Sequence, residues 1–283
     1  MKNKYVLVSI ICFTVAICCL LFGITGWLEQ RRAGEEYETL LSELESQTET
    51  ESEEISETET VESESTETTE ETLIQETEQT SETTKGFYTR EDIDFDALQK
   101  LNPDIYAWIE VPGTNVDYPI VQHPTDNGYY LTHTVEHKKT TAASIYTERY
   151  NSKDFEDAHT VIYGHNMKNG SMFRTLHNFE DYEFFEENRD IVIYMPEQTL
   201  YYEIFAAYTY DNRHLLNTYN CSEPEEFSEY LEEVFSIKDF GAFIDHEMEV
   251  TSKDRIITLS TCVNSGNSAQ RYLVQAVLVS IES

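Results

Sequence analysis

The sequence predicts a mainly β domain built as a closed barrel of about eight strands, with one helix before the barrel and one late in it. Two observations carry this. Eight short β-rich runs recur at modest intervals between residues 106 and 281, several of them separated by Pro, Gly and Asn turn signals. Few stretches show helical spacing. Many short strands with few helices fit a mixed, mainly antiparallel barrel.

The elements follow in order. Asp92–Leu101 reads as a short helix, ended by Asn102-Pro103. Tyr106–Val111 is a strand, and Pro112-Gly113-Thr114-Asn115 is the turn that follows it. Tyr118–Gln122, Ala142–Tyr146 and Thr160–Tyr163 are the next three strands. Ile191–Met195 and Leu200–Tyr208 flank Pro196-Glu197-Gln198 as a hairpin. Glu223–Phe235 places Phe227, Tyr230, Leu231, Val234 and Phe235 at helical spacing, with Pro224 suited to its first turn. Arg255–Thr261 and Tyr272–Ile281 are the last two strands.

Ahead of this domain lie two segments of different chemistry. Tyr5–Leu28 is 24 residues without a charge, enough to span a bilayer as a helix. Lys2 and Lys4 precede it, which favours a cytoplasmic N-terminus. Arg31 and Arg32 on the far side weaken that orientation. The apolar run is longer than a signal peptide needs and lacks a small-residue cleavage site. Residues 33–84 then hold 19 Glu, 20 Ser or Thr and no Lys or Arg. Such a stretch has almost no apolar surface to offset ordering entropy, so it reads as an extended, disordered stalk. The expected organisation is residues 1–32 as cytoplasmic tip and single-pass membrane anchor, 33–85 as stalk and 86–283 as an extracellular globular domain.

The charge balance removes some functions. With 54 Asp and Glu against 19 Lys and Arg, the net charge is −35. Nucleic-acid binding needs clustered cations and is excluded. Five scattered cysteines make no disulfide framework, and no CxxC pair suggests zinc.

Chemistry concentrates where the last two strands meet. Ile256–Cys262 is an apolar run ending in a cysteine, and an eight-residue loop leads to Arg271-Tyr272-Leu273-Val274. If the two strands pair as a hairpin, Cys262 and Arg271 become neighbours at one mouth of the barrel. A guanidinium beside a thiol favours the reactive thiolate and can steady an oxyanion. A buried structural cysteine beside an unrelated arginine is the plainer reading of the same residues. A nucleophilic cysteine needs a proton partner, normally histidine. Eight histidines compete: His123, His133, His137, His159, His165, His177, His214 and His246. His165 stands out because it follows an apolar strand and Gly164, where a strand gives way to a loop.

At these residues the sequence resembles the sortases, class B in particular. Thr258-Leu259-Ser260-Thr261-Cys262 is similar to the family's T-L-x-T-C signature, with Arg271 at the expected distance beyond. Tyr163-Gly164-His165-Asn166-Met167, followed by Gly170-Ser171-Met172-Phe173, resembles its histidine segment. Asn102-Pro103-Asp104, Trp108-Ile109, Pro112-Gly113-Thr114 and Asp117–Gln122 look like the class B N-terminal strands. A helix between the sixth and seventh strands also fits class B. Three departures bear on substrate preference: Val263 stands where an acidic residue is common, Ala143 where Gly is common, and Thr132 where a substrate-contacting Asn is frequent.

The resemblance implies a cysteine transpeptidase that cleaves a C-terminal sorting motif at Thr. It implies Cys262, His165 and Arg271 as catalytic residues, and Ser260, Tyr163 and Thr261 as substrate contacts. The implied partners are surface proteins bearing the sorting signal and an amine of the peptidoglycan precursor or cross-bridge, or of a pilin. No metal or organic cofactor is implied. Two alternatives stand beside it. One is another Cys–His wall enzyme, an L,D-transpeptidase or NlpC/P60-type peptidase. The other is a non-enzymatic stalked module with Cys262 and Cys221 in a disulfide.

Overall fold

The computed structural model describes residues 93–283. The expected anchor and the whole of the expected stalk lie outside the described residues. Helix α1 (Phe95–Leu101) starts later than the Asp92 expected, because Asp94 takes the N-cap and its side chain accepts from the Ala97 amide at 2.9 Å. Asn102 ends it in extended backbone, as the following proline requires.

Nine strands follow: β1 (Ile105–Val111), β2 (Val116–Val121), β3 (Ile145–Thr147), β4 (His159–Tyr163), β5 (Asp190–Tyr194), β6 (Thr199–Asp211), β7 (Phe243–Ile244), β8 (Ile256–Cys262) and β9 (Gln270–Glu282). Eight of them run β5-β1-β2-β3-β4-β8-β9-β6, and β5 pairs again with β6 to close the barrel. The two-residue β7 is extra, hung on β6 opposite Ala206 and Ala207. Pairing is antiparallel except at β2–β3 and β4–β8. The third strand begins later than its apolar residues suggest, because Ala143 sits at φ +58°, outside any ladder geometry.

The inner face carries one core, including Ile109, Ile120, Ile193, Leu259 and Val274, none of them exposed. A second core lies on the barrel's outside. Helix α4 (Pro224–Ser236), with Pro224 in its first turn, lays Phe227, Tyr230, Leu231 and Val234 against Phe205, Tyr208 and Leu273. That i, i+3, i+4, i+7 stripe is the one the sequence predicts, and each side chain contributes about 2 kcal/mol by leaving water. Between β4 and β5 the chain makes a 3₁₀ helix, Phe173–Glu180, and helix α2 (Tyr182–Glu187). A single-turn helix, α3 (Leu215–Thr218), follows β6.

Candidate active site

Register alone assembles the centre of the site. On one side of β8, β9 runs antiparallel and its Arg271 is paired with Cys262. On the other side β4 runs parallel, with Tyr163 opposite Ser260. Two residues further along each parallel strand come His165 and Cys262. The Gly164 amide donates to the Ser260 carbonyl at 3.2 Å, so the two strands are still side by side there. Cys262 is therefore flanked by His165 and Arg271, and neighbouring strands lie only about 5 Å apart.

Gly164 makes this approach possible. A Cβ on it would lie 2.6 Å from Ile145 Cδ1 and 2.6 Å from the Phe173 ring. His165 is half-buried, and its Nε2 lies 2.8 Å from the Leu131 carbonyl oxygen. A carbonyl only accepts, so Nε2 carries a proton and donates, and in the neutral ring Nδ1 is the acceptor. The Phe173 amide donates to the His165 carbonyl at 2.9 Å and holds the backbone. Arg271 Nη1 donates to the carbonyls of Ser268 at 3.1 Å and Gln270 at 2.8 Å. These contacts use few of the guanidinium's five N–H donors.

All three residues open on a cavity of about 240 Å³ that is also lined by Leu131, Tyr146, Tyr163, His214 and Ser260. The Cys262 thiol is exposed. Tyr146 and Tyr163 stack with ring centroids 5.3 Å apart. Burial pushes both phenols up, and the Glu148 carboxylate adds to the effect. Glu148 in turn pairs with His214 Nε2 at 2.5 Å. Two neutral tyrosines thus form one wall, and Glu148 is held against His214, while Arg271 faces the cavity with carbonyl partners only.

The predicted site residues sort as follows. Cys262, His165, Arg271, Ser260 and Tyr163 meet at one cavity. Thr261 borders it too, but only 2% of the residue is exposed and its hydroxyl is buried without a hydrogen-bond partner. Alternation along β8 puts its side chain on the face opposite Ser260 and Cys262, so it is a barrel-wall residue rather than a contact through its hydroxyl. The sequence did not single out Leu131 as the orienting partner of His165, since a backbone carbonyl has no signature. Nor did it single out His214 or Asn166, or place His177 at the back of Cys262. His177 Nε2 lies 2.9 Å and Asn166 Nδ2 2.8 Å from the Cys262 carbonyl oxygen.

Comparison with known proteins decides the family. The sortase domain model matches residues 109–279. The chain belongs to the sortase family. Within it, similarity is to class B. Sortase B of Listeria monocytogenes is 38% identical over 184 residues, covering 64% of this chain and 72% of that protein. Sortase B of Staphylococcus aureus is 27% identical over 189 residues, covering 66% and 75%. The X-ray structure of Clostridium perfringens sortase B superposes with a TM-score of 0.60 at 32% identity, covering 66% of this chain and all of that one. The protein is a class B sortase and, as such, a cysteine transpeptidase.

This sortase has a second Cys–His pair, and its environment sets it apart. Cys221 Sγ lies 3.6 Å from His159 Nδ1, both inside the outer core beneath α4. Burial pushes the Cys221 thiol up to about 12 and the His159 imidazole down to about 3. A neutral thiol against a neutral ring is a packing contact, not an activated nucleophile. Both Cys221 and Cys262 are free thiols, which removes the expected alternative of a disulfide between them.

Proposed function

We propose that this sortase cuts a C-terminal sorting motif at Thr and passes the new acyl end to an amine. The observation that carries the reading is the placement of Cys262 between His165 and Arg271 at the mouth of one cavity. The Cys262 thiolate attacks the Thr carbonyl carbon. Arg271 meets the negative charge that develops on the oxygen. His165 as imidazolium gives a proton to the departing amine, so the C–N bond breaks as the thioester remains. An incoming amine then attacks the thioester, loses its proton to His165 and releases the thiolate. Ser260 and Tyr163 border the groove where the motif lies.

The acceptor on this reading is an amine of the peptidoglycan precursor or cross-bridge, or of a pilin. Tyr5–Leu28 supplies a single-pass anchor and residues 33–85 a stalk that sets the catalytic domain outside the cell, away from an anionic surface.

A panel of quenched sorting peptides, with and without a small amine acceptor, tests this on the full chain in detergent. Cleavage whose product mass shifts with the acceptor, and which Cys262→Ala abolishes, is the expected result. Cleavage of muropeptides instead of sorting peptides would assign the chain to another class of wall enzyme.

A further inference from the structure

The back of the nucleophile is held as firmly as its front is open. Cys262 is the last residue of β8, and the chain leaves it into the loop 263–269. A terminal strand residue frays unless something beyond the ladder fixes it. Here its carbonyl oxygen takes two side-chain donors, His177 Nε2 at 2.9 Å and Asn166 Nδ2 at 2.8 Å.

Neither donor is free to turn away. His177 lies in the 3₁₀ helix, is 8% exposed, and stacks on Tyr272 with centroids 4.7 Å apart. Its Nδ1 lies 2.6 Å from Glu180 Oε1. A carboxylate and a carbonyl both accept, so each ring nitrogen faces an acceptor. The Asn166 amide is oriented by its other contacts. Arg174 Nη1 donates to Asn166 Oδ1 at 3.3 Å, and Asn166 Nδ2 also lies 3.1 Å from Asn264 Oδ1. Arg174 touches Asn264 as well. With both amide protons directed to Cys262 and Asn264, the 3.0 Å approach of Asn166 Nδ2 to His177 Nε2 is a consequence of their shared acceptor.

We infer that His177 and Asn166 are positioning residues for this sortase, which fix the Cys262 carbonyl and so aim its thiol between His165 and Arg271. Asn166 directly follows His165, so its amide also ties the histidine segment to the nucleophile across 96 residues of chain. Glu180 holds the His177 ring in place. The inference rests on Cys262 being the nucleophile.

The test uses the full chain in detergent with His177→Ala, His177→Gln, Asn166→Ala and the double variant His177→Ala/Asn166→Ala, each checked for cooperative melting. Two readouts are taken: kcat and KM on a sorting peptide, and the rate of Cys262 alkylation by iodoacetamide at neutral pH. Each alanine variant should lower kcat about tenfold with KM changed less than about twofold, the scale expected of a misaimed reacting group. The double variant should lose less than the product of the two, since both act on one oxygen. His177→Gln, which can still donate, should recover part of the loss. Alkylation should slow by about threefold or more. Folded variants with unchanged kcat and unchanged alkylation would overturn the inference, as would a loss confined to KM or a glutamine variant no better than alanine. If His177→Ala does not fold, Asn166→Ala on its half-buried loop carries both readouts. If the wild-type chain cleaves no peptide, the proposed function fails while the alkylation rates still decide this inference: slowed supports it, unchanged or faster overturns it.

Discussion

Cys262 and Arg271 are the last cross-strand pair of the β8–β9 ladder, facing each other where the hairpin opens into its loop. Backbone hydrogen bonding, not a flexible loop, therefore sets the spacing between thiol and guanidinium. Arg271→Ala should lower kcat/KM by about 100-fold or more, the usual cost of an oxyanion donor, while melting stays close to wild type. Arg271→Lys keeps the charge but loses the planar fork, and should recover only part of the loss. Steady-state kinetics on a cleaved peptide checks both.

His165 is held by the Leu131 carbonyl at 2.8 Å, which leaves Nδ1 as its proton-exchanging nitrogen when the ring is neutral. His165→Asn should cost about 100-fold or more in kcat, as loss of a general acid–base does. Labelling of Cys262 by iodoacetamide should persist in that variant, because the thiol itself remains. Loss of labelling together with loss of turnover would point to collapse of the site instead.

Gly164 has no room for a side chain, with Ile145 and Phe173 each 2.6 Å from where a Cβ would stand. Gly164→Ala should destabilise the fold by about 1–3 kcal/mol, the cost of overpacking a close contact. Because His165 is the next residue, kcat should fall too. Thermal melting and peptide cleavage of the same preparation measure the two effects.

Much of this arrangement was legible in the sequence. The eight barrel strands were readable because each is a short apolar run bounded by turn residues, and α4 because Phe227, Tyr230, Leu231 and Val234 keep helical spacing. The Cys262–Arg271 pairing followed from an apolar strand and an arginine at the two ends of one loop. What stayed hidden depends on long-range placement. His177 reaches Cys262 across 85 residues from a 3₁₀ helix with no sequence signature, and the partner of His165 is a backbone carbonyl. The two residues of β7 are too few to make a pattern. Period-2 alternation sets the Thr261 side chain on the opposite face from Ser260 and Cys262.

His159 predicts an acid sensitivity of the fold. Burial moves its imidazole from 6.5 to about 3, so the folded state keeps the ring neutral. Its contribution is fully present above 6.5, where both states are neutral, and is lost as the pH falls toward about 3 and only the unfolded chain takes up the proton. The amount is on the order of a few kcal/mol. His159→Gln can still bond the Thr258 hydroxyl, which lies 2.7 Å from Nε2 in the wild type. Melting temperature against pH should fall more steeply for wild type than for the variant across that window, with the carboxylates contributing equally to both.

The two thiols of the described domain should behave differently. Cys262 is exposed, whereas Cys221 is buried and its thiol is pushed up to about 12. Alkylation of the native enzyme, mapped by peptide mass, should label Cys262 and spare Cys221 until the protein is unfolded. Equal labelling of both in the native state would contradict the burial.

Intact-mass detection of the acyl-enzyme tests the central claim most directly. Mixed with a cleaved sorting peptide and no acceptor, the wild-type chain should gain the mass of the peptide's N-terminal fragment, mapped to Cys262 and released by hydroxylamine. Cys262→Ala should gain nothing. An adduct that persists in that variant, or one that maps to Cys221, would contradict the assignment of Cys262 as the nucleophile.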